Sequence, residues 1–244
     1  MTKDEEMRVQ KFISDAGIMS RRAAEKAILA GEITVNGQPA TIGMKVDPEN
    51  DTVKYRGKKV ELADNSVYLI LNKPVGYLTS MSDDRGRKCV SELVRDVGTR
   101  VYPAGRLDLE SEGLLIFSND GDLVNRLTHP KHTIAKYYHV TVNAILTEEQ
   151  RKRLSSAMVI DGYTIRPVRH RVIKSENGNM TLEMQLFEGR NRQIRKMCEK
   201  VGVEVIKLRR VAIGDIRLGG LESGKWRMLS RDQVKYLKSK LKMK

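Results

Sequence analysis

The chain has 244 residues, 40% of them hydrophobic, and a formal charge of +14. That length suits one large domain or two smaller ones with a real core. Its two cysteines, Cys89 and Cys198, stand apart with no metal or redox spacing, and no apolar run reaches the ~18 residues of a membrane span, which excludes a disulfide scaffold, a zinc ribbon and a helical membrane protein.

The charge is uneven. Residues 185–244 hold 17 Lys/Arg against 6 Asp/Glu, whereas residues 1–60 hold 11 against 9. A basic surface attracts polyanions through counterion release, so nucleic acid is the leading partner and a generally basic protein the bland alternative. The start, MTKDEEMRVQKF, is charged from its third residue and lacks the apolar stretch of a signal peptide, so a reducing cytoplasm is the expected compartment.

In chain order, Val9, Phe12, Ile13 and Ala16 fall on one helical face, and Gly17 is placed to cap that helix. Ser20 caps a second helix, RRAAEKAILA, which Gly31 ends. ITVNG is a short strand with an Asn36-Gly37 turn, and TVKYRGKKVEL adds alternating strand. Arg8, Lys11, Arg21, Arg22 and Lys26 lie mostly off the apolar face; as a bare pattern they are a solvated face. The order helix, Gly, Ser-Arg-Arg, helix, Gly, strand, Asn-Gly resembles the small RNA-binding domain first seen in ribosomal protein S-four, over Met7 to Val60. The resemblance implies that these five cations belong to an RNA-contacting surface.

ELADNS, residues 61–66, is polar and aperiodic, and is read as a linker between a domain of residues 1–60 and one of residues 67–244. Val67 to Leu71 is a buried strand broken by Lys73-Pro74, a pair read as structural, and Gly76 permits a turn. Leu114–Phe117 is a strand, and Asp120 caps a short helix that Pro130 ends. KYYHVTV is a strand, Thr147 caps the helix TEEQRKRLSSA, and MTLEMQLFEG alternates as a half-buried strand. RNRQIRKMCEKVG is a basic helix with Ile194, Met197, Cys198 and Val201 on one face, and Lys235 to Lys244 form a terminal helix or tail. Hairpins and irregular loops join these strands, with no regular strand–helix alternation. The expected fold is therefore α+β, with a mixed, largely antiparallel sheet after the small first domain. No glycine-rich loop follows the first strand, and His129 and His132 read as polar loop residues, so neither a cofactor nor a metal is expected.

Three stretches carry chemistry: GRLDLESEGL around Asp108, AKYYHV with Tyr137 and Tyr138, and EGRNRQIRKM with Arg190, Arg192 and Arg195. A carboxylate, an aromatic ring and guanidinium groups could build one site, with a nearby arginine keeping the acid ionised. An ionised aspartate can act as a covalent nucleophile, and a tyrosine can stack on an unstacked base. The bland readings are a turn-forming Asp108, a core Tyr138 and an exposed helix cation at Arg195. Glu110 and Glu112 read as solvent-facing loop acids. Lys207, Arg209 and Arg210 in KLRR read as phosphate contacts, with Leu208 facing the pocket floor.

YPAGRLDLESEGLLIFSNDGDL, AKYYHVTV, FEGRNRQIRKM and LGGLESGKWRML resemble the RsuA/RluB/RluE/RluF family of ribosomal RNA pseudouridine synthases, over residues 67 to about 232, and DGDLVN with NRQIRKMCEKVGVEVIKLRR leans toward its RluF branch. The resemblance implies that Asp108 is the catalytic carboxylate and that Arg106 enters the RNA stack where the target nucleotide leaves. It implies that Tyr138 packs on the target base and assists a later proton step, and that Arg195 pairs with Asp108. It further implies a monomeric enzyme that acts on ribosomal RNA, 23S foremost, without a cofactor. Many members carry an acid where this chain has Ala135, which puts a peripheral contact in doubt. The alternatives are a non-catalytic ribosome-associated RNA-binding protein, a synthase for another ribosomal or transfer RNA, and a methyltransferase, which would need the missing glycine-rich loop.

Overall fold

The structure, a computed structural model, describes residues 6–62 and 66–243. The first five residues, on which the signal-peptide expectation rests, residues 63–65 of the expected linker and Lys244 lie outside the described residues. The chain divides into two units. One takes Met1–Val67 with Val97–Val101 and Asn119–Gly121; the other takes Tyr68–Asp96, Tyr102–Ser118 and Asp122–Lys244.

The first unit runs β1 (Met7–Arg8), α1 (Val9–Asp15), α2 (Arg21–Leu29), β2 (Ile33–Val35), β3 (Gln38–Pro39), β4 (Lys45–Val46), β5 (Val53–Tyr55) and β6 (Lys58–Lys59). Its core is built from the apolar helix faces, Val9, Phe12, Ile13, Ala24 and Ile28, laid against Ile33, Val35 and Val53 of the sheet β3-β2-β5-β6. Gly17 at φ +77 follows α1, and Ser20 caps α2 by accepting from the Ala23 amide at 3.2 Å. Arg8, Arg21, Arg22 and Lys26 are exposed, while Lys11 pairs with Asp15 at 2.6 Å.

The second unit is built on one large sheet. Its elements are β7 (Tyr68–Lys73), a 3-10 segment (Val90–Val97), β8 (Tyr102–Pro103), β9 (Glu112–Ser118), α3 (Gly121–Thr128), β10 (Lys136–Val142) and α4 (Glu148–Ser155). They continue with β11 (Val159–Ile160), β12 (Tyr163–Thr164), β13 (Arg169–Glu176), β14 (Asn179–Leu186), α5 (Gln193–Lys200), β15 (Val205–Ile213), β16 (Ile216–Arg217), β17 (Trp226–Met228) and α6 (Arg231–Lys240). The strand order is β13-β14-β10-β15-β9-β7-β17, with β16 on β15 and β8 on β9. Among the described residues, β15 with β9 is the parallel pairing of this sheet and the rest are antiparallel, as an α+β chain of hairpins requires. One apolar cluster forms where β10, β14 and β15 meet α4 and α5; another forms where β7 and β9 meet α3 and α6. No helix among the described residues is long and apolar enough to cross a membrane.

The β9–β15 seam demands a glycine. Gly113 sits at φ +108 opposite Arg210, and a Cβ there would lie 2.2 Å from the Arg210 carbonyl oxygen. Both the left-handed backbone and the close approach oppose any side chain. Gly113→Ala is expected to cost about 3 kcal/mol and to lower the midpoint of thermal unfolding by roughly 6–12 °C. An unchanged melting curve would refute this reading of the seam.

Candidate active site

The loop from Ala104 to Ser111 leads into β9 and is held at Leu107, Asp108, Leu109 and Ser111 by the end of β7 and the segment after it. Thr79 brackets Leu107: its Oγ1 donates to the Leu107 carbonyl at 2.7 Å and accepts from the Leu107 amide at 3.1 Å. The Gly76 amide donates to the Leu109 carbonyl at 2.8 Å. Lys73, fully buried, sends its ammonium to the carbonyls of Ser111 at 2.7 Å, Pro74 at 3.0 Å and Asp108 at 3.1 Å. Burial pushes this amine down to about 8, against the pull of Asp108 and Glu112, which favour its charged form. The expectation that Lys73-Pro74 fixes a strand end is too narrow. The lysine fixes the backbone that carries Asp108.

Asp108 opens into a cavity of about 350 Å³. Leu107, Leu186, Ile194 and Leu208 give it an apolar lining, Tyr138 stands in its wall, and Arg106, Arg190 and Arg192 bring positive charge to it. Three segments distant in sequence therefore converge. Strand alternation explains the choice between the two tyrosines. Tyr138 of β10 is buried on the cavity side, while the Tyr137 hydroxyl accepts from Gln185 on the other face. Ser111 also lines the cavity, and its buried Oγ has no hydrogen-bond partner among the described residues. Such a space can admit one flat polar ring, with a carboxylate at its edge and cations around it.

Not every expected residue joins this site. Arg195 does not pair with Asp108. Its guanidinium donates to the carbonyls of Val205 at 2.9 Å and Glu110 at 3.2 Å, and lies 3.9 Å from the Glu110 carboxylate. Glu110, expected as a solvated acid, collects both nearby cations, since Arg192 donates to it as well. That hydrogen bond holds the Glu110 carboxyl below its ordinary range. Arg190 and Arg192 precede α5 rather than riding on it, because Arg192 takes a left-handed conformation at φ 53 and the helix begins at Gln193.

The KLRR stretch also needs correction. Arg210 is only 3% exposed and its Nε donates to the Leu114 carbonyl at 2.7 Å, so it braces the sheet and is not a phosphate contact. Lys207 and Arg209 alternate with Leu208, which lines the cavity, and so project from the opposite face. There they share Glu112, at 3.2 and 3.8 Å. Leu208 takes the cavity-facing place expected of it. The acids, Thr79 and the buried lysine escaped sequence reasoning because their partners are carbonyls and residues brought in by strand register, which leave no local signal.

The comparisons agree with this architecture. The family model described as RNA pseudouridylate synthase matches residues 67–200, and the S4 domain model matches residues 7–53. An uncharacterized RNA pseudouridine synthase of Aquifex aeolicus is 41% identical over 234 residues, 95% of this chain and 94% of that protein. The ribosomal large subunit pseudouridine synthase B of Bacillus subtilis is 38% identical, covering 95% of this chain and 96% of that protein. The dual-specificity RNA pseudouridine synthase RluF of Escherichia coli K12 is 39% identical over 96% of this chain and 79% of that protein. A crystal structure of a pseudouridylate synthase superposes with a TM-score of 0.68 at 26% identity, covering 95% of this chain and 99% of that one. The chain belongs to the RNA pseudouridylate synthase family and is an RNA pseudouridine synthase, an isomerase, with an S4 domain over residues 7–53.

Proposed function

We propose that this enzyme isomerises one uridine in a stem-loop of 23S ribosomal RNA, with Asp108 as the acting carboxylate. The observation that carries the reading is the single cavity lined by Asp108, Tyr138 and three arginines. The name of the Bacillus subtilis relative, a ribosomal large subunit pseudouridine synthase, supports a large-subunit target, and the dual-specificity label of the Escherichia coli relative makes a second RNA worth testing beside it.

The reaction breaks the bond from the sugar to N1 of uracil, turns the base and rejoins it through C5. The C5 hydrogen leaves as a proton and N1 takes one up, so composition is unchanged. The target must first leave its stack, at a cost of a few kcal/mol. Arg106, exposed at the cavity mouth, offsets part of that by filling the gap with a planar cation. Asp108 then acts on the sugar as nucleophile or base, while Tyr138 and the apolar lining hold the detached ring. Arg195 serves this scheme as a positioning residue, tying α5 and β15 to the Glu110 carbonyl two residues beyond Asp108. The S4 domain contributes affinity through Arg8, Lys11, Arg21, Arg22 and Lys26.

The test is to map pseudouridine by carbodiimide-stop sequencing in total RNA from cells with and without the gene. Loss of one 23S position, restored by the purified protein on a 23S transcript, is expected. Loss confined to 16S or transfer RNA would overturn the 23S assignment. A companion measurement is the salt dependence of stem-loop binding. Each phosphate contact adds about 0.7 to 0.9 to the slope of log K against log salt. Arg190→Ala is expected to flatten it by roughly one contact. Arg209→Ala, which faces away from the cavity and is held by Glu112, should leave it almost unchanged. The reverse ranking would mean that the RNA lies on the other face of the sheet.

A further inference from the structure

We infer that a second cavity beside the first takes an unstacked nucleotide flanking the target uridine, its base on Phe187 and its phosphate at Lys136 and Arg166; this rests on the RNA reading above. The cavity has about 390 Å³, close to the 350 Å³ of the first. The wall between them is the short segment 186–190. Leu186, the last residue of β14, lines the first cavity, Phe187 lines the second, and Gly189 with Arg190 lines both. Consecutive nucleotides of one strand can therefore straddle a single loop.

The lining has the two properties that a nucleotide uses, exposed rings and uncompensated cations. Phe187 is 43% exposed and Tyr163 is 40% exposed, in a chain with only three phenylalanines. A phenyl ring this open offers a face on which an unstacked base can lie. The Arg190 guanidinium already lies 3.1 Å from the Tyr163 ring centroid, so one ring in this cavity accepts a flat cation on its face. Lys136 has the Ile134 carbonyl as its hydrogen-bond acceptor, at 3.3 Å. Burial and the like charge of Arg210 push its amine down to about 8. Glu188 is the acid of this lining, and its hydrogen bonds are to amide donors. It accepts from the Arg166 amide at 3.3 Å and from Gln193 at 3.2 Å, which steadies the dividing wall. An arriving phosphate would relieve the repulsion between Lys136 and Arg210, and a base would cover the phenyl ring.

The test uses the full-length protein and a stem-loop containing the mapped uridine, with a 5-iodopyrimidine at one flanking position at a time. Light couples such a base to an aromatic ring stacked on it. One flanking position is expected to cross-link to a peptide holding Phe187 or Tyr163. Phe187→Ala should abolish that adduct and raise KM about tenfold, with kcat at saturating RNA within about twofold of wild type. Phe187→Trp should restore KM, which a merely structural defect would not allow. If wild type isomerises the uridine but no flanking base cross-links to either ring, or if Phe187→Ala leaves KM unchanged, the second cavity is not a nucleotide site. If no ribosomal stem-loop is isomerised at all, the RNA assignment fails and the inference falls with it.

Discussion

Asp108→Asn should lower the rate of pseudouridine formation by at least about a thousandfold and leave RNA affinity within about threefold. The substitution removes a charge and almost no volume, so the cavity keeps its shape. The loop also keeps its place. Its anchors are the backbone carbonyls of Leu107, Asp108, Leu109 and Ser111, none of which involves the Asp108 carboxylate. Arg106, Arg190 and Arg192 remain in the lining, and losing an acid among them cannot weaken the attraction for a polyanion. Release of tritium from RNA labelled at C5 of uridine measures the chemistry, and filter binding of the same RNA measures affinity. Residual turnover within tenfold of wild type would remove Asp108 from the reaction. A parallel collapse of binding would mean that it serves recognition instead.

Sequence and structure agree most closely where a local pattern decides the matter. The Ser20 cap, the turn at Asn36-Gly37 and the alternation of KYYHVTV depend on neighbours in the chain, and each was legible. Asp108 and Tyr138 were legible through their motifs, and the structure brings both to one cavity. Long-range register was not legible. KLRR reads as three equivalent cations, yet pairing with β9 and β10 sends Arg210 inward and sets Lys207 and Arg209 on the far face. The arginine of α5 was expected on Asp108 and instead reaches main-chain carbonyls and the Glu110 carboxylate. A carbonyl carries no residue-type signal, so a network of lysine, threonine and amide donors aimed at carbonyls cannot be seen before the fold is known.

Lys73→Met should destabilise the catalytic unit by about 3 kcal/mol at neutral pH, and lower kcat about a hundredfold with a smaller change in KM. Methionine fills similar space but leaves the carbonyls of Pro74, Asp108 and Ser111 without the buried donor they share. The loop would then shift at the residue that bears the carboxylate. The pH dependence of this effect has a definite sign. Burial sets the Lys73 amine at about 8 in the fold, against an ordinary value of 10.5 in the unfolded chain. Between those values the unfolded chain holds a proton that the folded one has released, so wild-type stability gains relative to the mutant as pH rises. The gap between wild type and Lys73→Met should therefore widen from about pH 8 to pH 10.5, as measured by denaturant unfolding at several pH values. A gap that narrows over this range would mean that the amine is not held in an apolar setting. Thr79→Val tests the same clamp with less risk to folding. It removes the bracket around Leu107, and should lower kcat about tenfold at a cost of 1 to 2 kcal/mol, roughly that of two neutral hydrogen bonds. Wild-type turnover in Thr79→Val, together with a fold-neutral Lys73→Met, would show that the loop holds its shape without the clamp.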